Sequence, residues 1–214
     1  MKKLALAILS LTFFSCSSSD DDAATPITPA PVNNSVAYFY SKIDNVSLTF
    51  DQDNTMNPTS YNSGSVGFTG VGFDKYFYYG SMMERYNSSD VTSLDLTFHH
   101  MYQSTSYSDE TTNFYSTFTT KPTNFLTEAQ ESNLEKGISV SYTDAAGETY
   151  SSLHGSQTGS TIAYTSSTQG TNTFGLQTLT IVGTVNCKLY NTNDVTDVKI
   201  LTNGSYKLTF QEFD

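Results

Sequence analysis

Leu179-Thr-Ile-Val-Gly-Thr-Val-Asn-Cys-Lys-Leu189 decides the fold. Leu179, Ile181, Val185, Cys187 and Leu189 share one parity, while Thr180, Thr184, Asn186 and Lys188 take the other. A period of two with one apolar side describes a strand half-buried in an antiparallel sheet. Downstream, Tyr206, Leu208 and Phe210 alternate with Ser205, Lys207 and Thr209. Upstream the same pattern recurs in Ile138, Val140 and Tyr142, in Leu94, Leu96 and Phe98, and in Val46, Leu48 and Phe50. Thr, Tyr, Phe and Val are abundant in these runs and suit a pleated surface.

Turn chemistry falls between the runs, at Asp44-Asn45, Asp144-Ala-Ala-Gly147 and Asn203-Gly204. One helix is expected, from Glu128 to Lys136. Thr127 and Gln130 have capping-box spacing, acids fill the first turn, and Lys136-Gly137 closes it. It reads as a connector packed through Ala129 and Leu134. The fold expected is all-β: an antiparallel β-sandwich or flattened barrel over residues 35–214, with one short connecting helix near 128–136.

The N-terminus carries an address. Lys2 and Lys3 form a positive n-region, and Leu4 to Phe14 is apolar except for Ser10 and Thr12. The run is too short for a bilayer, which needs about 20 apolar residues, and it reads as a signal peptide over 1–15. Ser15 puts a small residue directly before Cys16. Residues 16–34 then read as a flexible tether, with Asp20-Asp21-Asp22 and with Pro26, Pro29 and Pro31 among Ala and Thr.

Phe13-Phe14-Ser15-Cys16 resembles the bacterial lipobox, and Ser19-Asp20-Asp21-Asp22 resembles the acidic export signal of lipoproteins in Bacteroidota, particularly flavobacterial ones. The resemblance implies palmitate-type acylation of Cys16 and anchoring in the outer membrane, facing the extracellular side. More than one acyl chain makes such anchoring stable without a transmembrane helix. Phe39-Tyr-Ser-Lys-Ile-Asp-Asn45 and the closing Thr180–Tyr206 region are similar to uncharacterised all-β lipoproteins of that group. Asn45 stands where Gly is usual, and Asn tolerates positive φ. That resemblance implies the fold and carries over no active site.

Charge narrows the partners. The chain has a formal charge of −11; its 10 Lys and Arg less Lys2 and Lys3 leave 8 against 21 Asp and Glu. Nucleic acid and anionic headgroups are therefore not expected partners. With Cys16 acylated, Cys187 is left alone, so no intramolecular disulfide is expected.

Candidate chemistry is sparse. His99 and His100 are adjacent in a strand and point to opposite faces, so they do not chelate one metal together. His100 is expected to be structural and His99 solvated. Asp51, Asp53 and Asn57 resemble the start of a calcium loop without its central Gly or closing Glu; Asn193, Asp194 and Asp197 form a similar cluster. Glu128, Glu131 and Glu135 look solvated, and no pair of carboxylates presents itself for glycosidase chemistry. No Gly-x-Ser-x-Gly elbow occurs. The chain holds 15 Tyr and 14 Phe but no Trp. Tyr76 and Tyr78 share a strand face and form the candidate ligand platform, since ring faces stack on apolar sugar faces.

The reading is a non-catalytic surface lipoprotein without cofactor or metal, anchored through Cys16 and binding or presenting an extracellular glycan or protein. Two alternatives stand beside it: a glycan-binding accessory of a polysaccharide-utilisation system, and a hydrolase with an unrecognised site.

Overall fold

A computed structural model describes residues 36–52, 59–69, 74–85, 90–103, 110–119 and 121–212. The strands are β1 (Tyr38–Ile43), β2 (Val46–Asp51), β3 (Thr59–Thr69), β4 (Asp74–Arg85), β5 (Ser93–Gln103), β6 (Gly137–Thr143), β7 (Thr149–Ser151), β8 (Thr161–Thr171), β9 (Gln177–Asn191) and β10 (Val198–Gln211). Helices α1 (Glu110–Thr119) and α2 (Glu128–Ser132) lie between β5 and β6. One antiparallel sheet runs β2-β1-β10-β9-β7-β6-β5-β4-β3. The 15-residue β9 carries β10 along one edge. Its other edge is shared by β8, over Gln177–Asn186, and β7, at Tyr190 and Asn191.

The ribbon curls until it is nearly closed, so the protein takes a barrel-like form of the expected all-β fold. Arg85 of β4 sits over the Phe50 ring of β2, 5.0 Å from its centroid, and β10 approaches β3 and β4 across the interior. The expected parity holds along β5, β6, β9 and β10: Leu94, Leu96, Phe98, Ile138, Val140, Leu179, Ile181, Val185, Leu189, Tyr206, Leu208 and Phe210 are all buried. Aromatic rings fill the centre, with Phe98 edge-on to Phe210 at 4.9 Å. Val46 departs from the pattern. It is 71% exposed because it ends the β1–β2 hairpin, beyond the covered part of the sheet.

Helix α1 was not foreseen. Its sequence, Glu-Thr-Thr-Asn-Phe-Tyr-Ser-Thr-Phe-Thr, is rich in residues that favour strands or caps. Tertiary packing overrides that preference. Phe114 and Phe118, four residues apart, enter the barrel together and meet Tyr79, Phe98 and Phe210. Thr117 and Thr119 hydroxyls donate back to the carbonyls four residues earlier, which satisfies them within the helix.

Helix α2 has the expected capping box: the Thr127 side chain accepts from Gln130 N–H, and the Gln130 side chain accepts from Thr127 N–H. It ends at Ser132, however, four residues before Lys136. Leu134 adopts φ 60°, and Glu135 N–H closes back on the Gln130 carbonyl at 2.9 Å. This left-handed end turns Leu134 outward to solvent instead of into the core.

Two of the three turns stand as expected. Asp44 and Asn45 have φ 49° and 67° and join β1 to β2; Asp144 to Gly147 joins β6 to β7. Asn203-Gly204 is instead a bulge within β10. The β10–β9 register shifts between Leu201 and Gly204, and Asn203, at φ 54°, donates its N–H to Asn186 Oδ1 at 2.8 Å.

Candidate functional site

Strand β5 aims Leu94, Leu96, Phe98 and His100 into the barrel and His99 outward. The outward face is not open there. The chain before β6 folds across it: Phe125 bridges Ile138, Leu126 N–H donates to the Ile138 carbonyl at 3.0 Å, and Leu126 is buried. Gly137 permits this approach, since a Cβ there would lie 2.6 Å from Leu126 and 2.7 Å from Asn124. The crossing chain carries α2 over β5 and β6. His99 is therefore only 2% exposed, which corrects the expectation of a solvated side chain.

Under α2 the polar groups form a chain. His99 Nε2 and Ser139 Oγ are hydrogen-bonded at 2.8 Å. His99 Nδ1 lies 3.8 Å from Glu131 Oε1, and the Tyr78 ring meets the imidazole edge-on at 4.6 Å. Beside them, His154 Nδ1 is 3.4 Å from Glu128 Oε2. Burial holds the His99 imidazole down to about 4 and raises Glu131, with the neighbouring Glu128 charge adding to the rise. At neutral pH the imidazole is neutral. Glu131 is half-buried rather than solvated as expected.

The sequence reading missed Ser139. It shares the outer parity of β6 with Gly137 and Ser141 and is separated from His99 by 40 positions. No local pattern links the two; only the β5–β6 register does.

The order hydroxyl, imidazole, carboxylate is that of a nucleophile with its base and orienting acid. Ser139 is 8% exposed and faces the underside of α2, and a base held near 4 is a poor proton acceptor at neutral pH. In this arrangement His99 and Ser139 are hydrogen-bonded to each other beneath α2, with the Glu131 carboxylate 3.8 Å from the neutral imidazole.

The other nominated residues are dispersed. Tyr78 is half-buried, with its ring against His99. Tyr76 is placed in β4 by its backbone, and its side chain lies outside the described residues. Cys16, Ser19, Asp20, Asp21, Asp22, Asp53 and Asn57 also lie outside them. Asp51 accepts a hydrogen bond from the Tyr40 hydroxyl. Asp194 accepts from Thr196 N–H and hydroxyl, and Asp197 from the Tyr150 hydroxyl at 2.8 Å. These carboxylates are engaged in turns and cross-strand bonds. Among the described residues no group of three His, Cys, Asp or Glu could hold a metal. Cys187 is buried, as its parity requires.

No protein-family model matches the chain, no curated protein matches it, and no solved structure matches it.

Proposed function

We propose that this protein is a lipid-anchored, surface-exposed lipoprotein whose barrel domain binds or presents an extracellular ligand or partner without catalysing a reaction. One observation carries the reading: a positively charged, apolar leader ending at Ser15-Cys16, with Ser19-Asp20-Asp21-Asp22 beginning three positions after the Cys and a Pro-rich tether beyond it. The acidic composition supports a role in solution beyond the membrane rather than on anionic surfaces. Labelled palmitate and surface proteolysis test the address. Cys16→Ala is expected to lose the label and the membrane association. Replacing Asp20, Asp21 and Asp22 by Ala is expected to keep the label but protect the protein from proteinase K on intact cells. A glycan array probed with the detergent-extracted protein tests the polysaccharide-accessory form of the reading. Palmitate entering Cys16→Ala would sink the anchor.

A serine hydrolase is the second reading, favoured by the 2.8 Å contact between Ser139 and His99. The low basicity of His99 and the cover over Ser139 support the first reading over it. A fluorophosphonate probe discriminates: the non-catalytic reading expects no label on Ser139, and labelling abolished by both Ser139→Ala and His99→Gln would establish the hydrolase.

A further inference from the structure

Strand β8 lies at an open edge. It pairs with β9 alone, and among the described residues nothing pairs with its other side. Its first half is covered: Ile162 is buried, the Tyr164 hydroxyl donates to the Pro122 carbonyl, and the register shifts between Tyr164 and Ser166. From Ser166 to Thr171 the strand keeps an unbroken register with β9 and is exposed on both faces.

The hairpin sets which backbone groups are free. Asn172 N–H donates to the Leu176 carbonyl at 2.9 Å. Antiparallel alternation then aims the N–H and C=O of Gly170, Thr168 and Ser166 at β9, and those of Thr171, Gln169 and Ser167 at the open side. Such an edge is a template for another strand, and folded proteins ordinarily block it with Lys, Pro or charge. Here the blocking residues are missing. From Thr149 to Cys187 the chain holds no Asp, Glu, Lys or Arg, although its net charge is −11. At the tip of the hairpin, Phe174 is 88% exposed and held in place, because Asn172 Oδ1 accepts from both Phe174 N–H and Leu176 N–H.

We propose that β8 is a homodimerisation edge, on which a second copy of this chain adds its own β8 antiparallel through Ser166–Thr171. The spacing of the free groups is self-complementary. With a two-fold axis at Gln169, Ser167 meets the partner's Thr171, Gln169 meets the partner's Gln169, and both open backbone groups of each are satisfied. Charge selects the same partner and the same face. Two copies of a strongly acidic chain repel wherever carboxylates meet, and this strip carries none. The register also carries Phe174 against the bulged end of the partner strand, which takes its ring out of water.

The test is the sedimentation of the detergent-solubilised full chain, with Gln169→Lys and Gln169→Pro beside the parent. Pro deletes only an N–H that points away from β9, and Lys sets like charges together on the axis. The parent is expected to sediment as a dimer, with both variants dissociating at least about tenfold more readily. Gln169→Cys is expected to form a disulfide-linked dimer under mild oxidation, and Thr196→Cys, on a remote exposed loop, is not. A monomeric parent overturns the proposal. So does a dimer that persists in Gln169→Lys with unchanged circular dichroism, because the copies would then meet elsewhere.

Discussion

Tyr206 of β10 lies over Gly183 of β9, so that a Cβ added at Gly183 would meet the Tyr206 hydroxyl oxygen at 2.5 Å and the Ala163 carbonyl at 2.3 Å. Gly183 sits at an inward position of β9, cross-strand from Tyr206 on one side and Tyr164 on the other. The missing side chain is what lets a large ring enter the barrel there.

Gly183→Ala should therefore destabilise the domain by about 1–3 kcal/mol through overpacking, read as a lower urea midpoint at constant slope. Tyr206→Phe should not restore it, since the Ala163 carbonyl still blocks the Cβ. Alone, Tyr206→Phe should be neutral or stabilising, because the hydroxyl is buried without a hydrogen-bond partner among the described residues. A loss of stability in Tyr206→Phe would show that the hydroxyl is bonded.

Stability should fall on mild acidification. His99 and His100 are both held down to about 4 by burial, the latter also by the Lys136 charge. The unfolded chain binds protons on both near pH 6.5, before the folded protein does. Their contribution to stability is thus lost as pH falls from about 6.5 towards 4, on the order of 2 kcal/mol per imidazole at pH 5. Glu131 has the opposite sign, because its raised value means that protonation relieves a burial cost. Urea titrations at pH 7 and pH 5 measure the difference. His99→Gln should flatten it by roughly half, and an unchanged slope in that variant would place His99 in water.

Cys187 should resist thiol reagents in the native state. Burial raises its thiol well above the usual range, so thiolate is scarce as well as inaccessible. DTNB should react only after unfolding. Cys187→Ser should cost about 1–3 kcal/mol through an unpaired hydroxyl, and Cys187→Ala should cost less. Rapid labelling in native buffer would shift the register of β9 by one residue.

Helix α1 should be held by its two phenylalanines. Phe118 touches Phe98, Phe114, Tyr79 and Phe210, and Phe118→Ala should cost about 3–5 kcal/mol. Far-ultraviolet circular dichroism and amide exchange would show whether α1 is lost with it, as expected for a helix of weak intrinsic propensity.

Strand parity was legible in the sequence because burial on one side of a sheet writes itself into every second residue. The all-β class, the inward set of β5, β6, β9 and β10, the Asp44-Asn45 hairpin and the α2 capping box all follow from spacings of two to four residues, which local chemistry alone dictates. Tertiary structure decided the rest. Helix α1 exists because the barrel offers Phe114 and Phe118 a place, not because its residues prefer a helix. Asn203-Gly204 reads locally as a turn and becomes a bulge because β9 continues beside it. His99 and Ser139 meet because β5 and β6 pair across 40 positions of sequence, and they lie buried because the chain between those strands folds back over the outer face beside Gly137. Contacts between positions so far apart leave no periodic mark, since each residue carries only its own chemistry and the fold supplies the neighbour.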